Sequence, residues 1–117
     1  MADKIQLFAK IFKAELEDLS DDLECSEKCN KDKLERDIIG SFVFQENEAL
    51  IIKECSCISF ILKRLEDFDL SKFTSLDALV DSIKLDVLDL TKEYEFPEFV
   101  PLLISKKLEK ILTYVEG

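Results

Sequence analysis

Four cysteines in two close pairs, Cys25-Ser-Glu-Lys-Cys29 and Cys55-Ser-Cys57, are the residues of this chain best suited to chemistry. Thiolates hold zinc and iron–sulfur clusters, so one reading is a cysteine-ligated metal or iron–sulfur protein using Cys25, Cys29, Cys55 and Cys57. The spacing works against it. Structural zinc sites place two to four residues between paired ligands, often on turns. The second pair here has a single residue between. On a helix, Cys55 and Cys57 point about 200° apart and cannot grip one ion; on a strand they share a face. Free cysteine is also among the most buried residue types and packs as a small hydrophobe. A redox role for Cys25 or Cys29 meets a further objection. Glu24 and Glu27 put negative charge beside them, the opposite of the electropositive surroundings that activate a thiol.

Other catalytic devices are scarce. The chain has 0 His, which removes the commonest general base and the commonest metal ligand. A Ser–His–Asp or Cys–His arrangement cannot be assembled from it alone. Its only glycines are Gly40 and Gly117, so there is no glycine-rich phosphate loop. Asp67, Asp69 and Ser71 offer oxygen ligands for Ca²⁺ or Mg²⁺, but without the glycine and distal glutamate of an EF-hand loop. No enzyme activity and no cofactor are expected.

The net charge is −10. A phosphate backbone or an anionic bilayer would be repelled, so neither nucleic acid nor a membrane is an expected direct partner. A basic protein is. Residues 66–99 hold most of the imbalance, with Asp77, Asp81, Asp86 and Asp89 among ten acids facing Lys72, Lys84 and Lys92. Residues 100–117 reverse it through Lys106, Lys107 and Lys110. The first twenty residues are broken by charges and contain no apolar signal core, so a cytoplasmic location is expected.

With 2 Gly and 2 Pro in 117 residues, the chain carries little of the punctuation that strands and tight turns need. Its apolar residues recur at helical spacing. The expected fold is all-α, a compact single-domain bundle of four to five helices over residues 1–117. A first helix is expected from about Asp3 to Leu19, with Ile5, Phe8, Phe12, Leu16 and Leu19 on one face. Ser20–Asp22 would end it, and a short or irregular segment would carry Cys25 and Cys29. Asn30 is a candidate N-cap for a helix from Lys31 to Gln45, with Gly40 inside it as a weak point. Asn47 would then cap a helix from Glu48 to Asp67. Ser75–Tyr94, entered through Thr74 and Asp77, repeats Leu76, Val80, Ile83, Val87, Leu90 and Tyr94 at a coiled-coil-like spacing. Pro97 and Pro101 interrupt before a last helix, Pro101–Val115. The alternative is α+β with a hairpin at 38–61, where β-branched and aromatic residues crowd. Gln45–Ala49 lacks the Asn-Gly or Asp-Gly of a tight hairpin.

Some apolar residues fall off these faces. Leu85 and Leu88 lie far round from Leu76, among Asp81, Asp86 and Asp89, and Leu7 and Ile11 do the same on the first helix. Single exposed leucines are ordinary, and two-sided burial would also account for them. Together with the acids they describe an apolar patch suited to a basic amphipathic helix. The leading expectation is therefore a small acidic, non-enzymatic protein–protein interaction module: an adaptor, a chaperone-like binder or an assembly subunit. The partner-binding residues would be Asp81, Leu85, Asp86, Leu88 and Asp89. A homodimer through the same surface fits equally. Phe99, between the two prolines, is a further recognition candidate. Beside the metal reading, a second alternative to the interaction module is a nucleic-acid mimic that blocks a DNA-binding protein with a ridge of carboxylates. Lys84 and Lys92 could neutralise part of that ridge by pairing with Asp81 and Asp89.

Overall fold

The computed structural model describes residues 2–117. Four helices account for most of them: α1 (Ala2–Glu35), α2 (Ser41–Glu66), α3 (Leu76–Tyr94) and α4 (Phe99–Glu116). One 3-10 turn, Leu70–Lys72, lies between α2 and α3, and no strand occurs among the described residues. The fold is all-α, and the hairpin alternative at 38–61 is excluded.

The first helix does not end at Leu19. It runs unbroken through Ser20–Asp22 to Glu35, 34 residues in all. Aspartate and serine are mediocre in a helix interior because they compete for backbone hydrogen bonds. Here Asp21 and Asp22 are exposed, so water solvates their carboxylates and relieves the competition for the backbone. The apolar stripe continues past them through Leu23 and Leu34, and packing on α2 outweighs local capping. Asn30 is not an N-cap; it lies within α1. The break falls instead at Arg36–Gly40. Asp37 takes a left-handed conformation (φ 58°), and the Ile38 N–H reaches back to the Lys33 carbonyl at 2.9 Å. Gly40 sits outside the helices as the N-cap of α2, in extended backbone (φ −86°, ψ 172°) with open space where a Cβ would stand. It serves no close approach. The second expected helix therefore does not exist as a unit. Its first part belongs to α1 and its second to α2.

Ser75, one residue after Thr74, caps α3 by accepting the Ala78 N–H at 3.2 Å. Glu95 ends it in a left-handed conformation (φ 54°), with the Phe96 N–H bonded to the Thr91 carbonyl at 3.1 Å. Pro101 falls in the first turn of α4, where its missing N–H costs nothing.

The core is one cluster drawn from all four helices. Phe8, Phe12 and Leu16 of α1, Cys57 of α2, Leu79 of α3, and Ile104 and Leu108 of α4 are its most enclosed side chains. Each large one contributes roughly 1.5–3 kcal/mol by leaving water. Ion pairs tie the helices at the surface: Arg64 to Asp86 (2.8 Å), Lys84 to Glu109 (3.3 Å) and Lys107 to Glu15 (3.2 Å). The last of these gives the lysine-rich α4 a tertiary reason for its charge.

Helix lengths do not match. At 1.5 Å per residue, α1 is about 51 Å long and α2 about 39 Å, against about 28 Å for α3 and about 27 Å for α4. The surplus of α1 and α2 projects from the bundle as a two-helix arm, and the molecule measures 54 × 28 × 20 Å. Its radius of gyration is 16.6 Å, where a compact chain of this length has about 13 Å. Within the arm, Asn30 is 5% exposed. It donates to the Phe44 carbonyl and accepts from the Asn47 side chain, both at 3.1 Å, pinning α1 to α2 near the tip.

Candidate functional site

α3 buries one face and presents another. Leu76, Leu79, Val80, Ile83, Val87 and Leu90 point into the core. Asp81, Leu85, Leu88 and Asp89 recur at three- and four-residue spacing on the opposite side and are exposed. Leu85 is 64% and Leu88 44% exposed. Leu88 joins Leu102 of α4, itself 67% exposed, across a shallow groove of about 180 Å³. Lys84, Val87, Pro101, Ile104 and Ser105 complete its lining. The apolar surface thus spans two helices, and Leu102 is a member that the sequence pattern did not reveal. Leu102 stands next to Pro101 in a stretch dense with apolar residues, and only the packing of α4 on α3 turns it outward.

The carboxylates around this surface divide. Asp81 and Asp89 make no ion pair among the described residues. Asp86 does not belong with them. It is half-buried on the side facing α2, where Arg64 donates to both of its oxygens, with contacts of 2.8–3.1 Å. A carboxylate held by a two-pronged guanidinium is a structural tie. Lys84 pairs with Glu109 of α4 instead of Asp81, so the expected neutralisation along α3 is absent at that position. On α1, Leu7 is exposed while Ile11 packs against the core. Phe96 is buried and Phe99 is partly exposed beside Leu19, Leu23 and Glu54. Burial among those apolar neighbours raises the Glu54 carboxyl above the ordinary range.

The four thiols do not converge. Cys57 is enclosed in the core, Cys25 and Cys29 are exposed on α1, and Cys55 is half-buried on another side of α2. Burial, reinforced by Glu27, Glu24 and Glu54, pushes the Cys55 thiol up. Among the described residues no three side chains of cysteine, aspartate or glutamate gather as a ligand set. The Asp69 carboxylate is likewise committed: it accepts from the Ser71 hydroxyl and from the Ser71 N–H (3.1 Å) and caps the 3-10 turn.

A second exposed apolar region lies at the tip of the arm. The run Ile38–Gln45 has no charged residue. Phe42 is 74% exposed, and Ile38, Val43 and Leu50 also face solvent. Around the tip, residues 28–46 carry Lys28, Lys31, Lys33 and Arg36 against Asp32, Glu35, Asp37 and Glu46, a balance of zero in a chain of −10. No helix is long and apolar enough to cross a membrane among the described residues. No protein-family model matches the chain, and comparison with curated proteins and with solved structures finds no match either.

Proposed function

We propose that the chain is a non-enzymatic protein–protein interaction module that docks a basic amphipathic helix on the α3–α4 face. One observation carries the reading: Leu88 and Leu102 line a groove between adjacent helices, and Leu85 is exposed on the neighbouring outer face of α3 together with Asp81 and Asp89, which make no ion pair among the described residues. Apolar anchors at i, i+3 or i+4 on a partner helix would fill the groove, and flanking Lys or Arg would meet the acids. Asp86 takes no part, because its charge is engaged by Arg64. The scattered thiols and the lack of histidine weigh against the metal and enzyme readings. The leucines that interrupt the acids of α3 weigh against a nucleic-acid mimic.

The test is titration of a fluorescently labelled 18-residue peptide made of Leu/Lys heptads, followed by anisotropy. Wild-type chain is expected to bind, and Leu85→Ser with Leu88→Ser to weaken binding at least about tenfold. Both leucines are exposed, so the variant keeps the wild-type dichroism spectrum. Raising the salt weakens the wild-type complex. Absence of binding, or equal binding by the variant, overturns the reading.

A further inference from the structure

The arm leaves one face of α2 without a cover. Cys57 and Ile61 of that face are enclosed in the four-helix core. The same stripe runs on toward the tip as Leu50 and Val43, one and two heptads before Cys57, where α3 and α4 no longer reach. Leu50 is 49% exposed there, and Phe42 beyond it more so. We infer that this face is an interface between two copies of the chain, the arms packing antiparallel about a two-fold axis to complete a second four-helix bundle.

Three observations point to a second copy as the occupant. The first is charge. Two molecules of net charge −10 repel each other over most of their surface. The balanced tip, with its uncharged run from Ile38 to Gln45, is where they can meet without that penalty, and it offers no handle to a strongly basic partner. The second is architecture. An arm of two helices has an apolar stripe that only further helices can bury, and a second arm supplies two with the same need, so one isologous contact satisfies both. The third is the polar pair. Asn30 is buried against Asn47, and Asn47 lies between Val43 and Leu50 in sequence at the border of the open stripe. One of its amide hydrogens is used, which leaves an acceptor oxygen and another donor for a partner arm. A lone asparagine in an apolar seam fixes register. Beside it, a groove of about 280 Å³ bordered by Cys29, Lys33 and Leu50 is open to receive an apolar side chain of the other arm.

Sedimentation equilibrium of the full chain tests this across a range of concentrations, at low and high salt. The expected result is a species of twice the 13.5 kDa chain mass, tightening as salt screens the repulsion. Phe42→Asp with Leu50→Asp is expected to raise the dissociation constant at least about a hundredfold, since each change would bury an unpaired charge. Leu85→Ser with Leu88→Ser leaves the dimer intact. A chain that stays monomeric at every concentration overturns the inference. So does a dimer that survives the arm substitutions, or one abolished by the α3 substitutions, which would move the contact to the other surface. Should the arm variant lose helicity, hydrogen exchange on the wild type decides. Slowing on concentration that is confined to residues 38–53 and the facing part of α1 supports the inference; no slowing there overturns it. Failure here leaves peptide docking on α3 and α4 standing, because that reading uses none of these residues.

Discussion

Cys57 is shut from solvent, and burial pushes its thiol from an ordinary value near 9 up to about 11. The sign of the consequence follows. A thiol that ionises less readily folded than unfolded adds stability that is intact below the unfolded value. That stability is lost as pH rises toward the folded one. The chemical-denaturation midpoint should therefore fall between about pH 9 and about pH 11, and the fall should be shallower in Cys57→Ala. Thiol labelling gives a second readout. Cys25 and Cys29 should react promptly in the folded chain, and Cys57 only as fast as the chain unfolds; prompt labelling of all four would contradict the structure. The separation of Cys55 from Cys57 was legible, because helical geometry alone turns them apart. The fate of Asp86 was not. A sequence displays a carboxylate beside Leu85 but says nothing of an arginine 22 positions earlier that turns toward it.

At the scale of elements, helix faces were read well and helix ends poorly. The stripes of α4, of α3 from Leu76 to Leu90 (the expected Tyr94 is exposed), and of α1 as far as Leu19, are set by apolar burial, the dominant driving force of folding, and side-chain spacing records it directly. Ends depend on contests of about 1 kcal/mol between capping and packing. At Ser20–Asp22 packing won, and α1 ran on. Asn30 resembles a cap by residue type, yet its partners are Phe44 and Asn47, which the turn at 36–40 folds back beside it. Gly40 looked like a flaw inside a helix because that turn carries no other conventional signal. Its left-handed residue is Asp37, and the matching residue at the end of α3 is Glu95. A glutamate is strained at φ > 0, since its Cβ crowds the carbonyl. Glu95→Gly should raise stability by about 0.5–1 kcal/mol by removing that crowding, net of the entropy that glycine adds to the unfolded chain. Urea denaturation measures it, and a loss of stability would mean that the Glu95 side chain contributes more than its backbone costs.

At the scale of the molecule, composition pointed to a compact bundle, and the bundle is there, but the arm was not foreseen. It exists because two helices are longer than the pair that should cover them, a relation between distant segments that no single stretch of sequence encodes. Burial is concentrated accordingly: the most enclosed side chains lie in the four-helix part, and the residues from Arg36 to Leu50 are mostly exposed. In dilute solution, amide exchange should be slowest around Leu79, Ile104 and Leu108 and fastest from Arg36 to Leu50. Uniform protection would show that the arm is covered even in the monomer. The unbroken course of α1 has a mechanical result. With no hinge between core and tip, the arm is a strut, and the groove on α3 and α4 is held at a set distance from the end of it. Two chains joined through their struts would carry two grooves at a fixed span. A ligand with two helices on a tether of matching reach would then be retained far longer than one with a single helix.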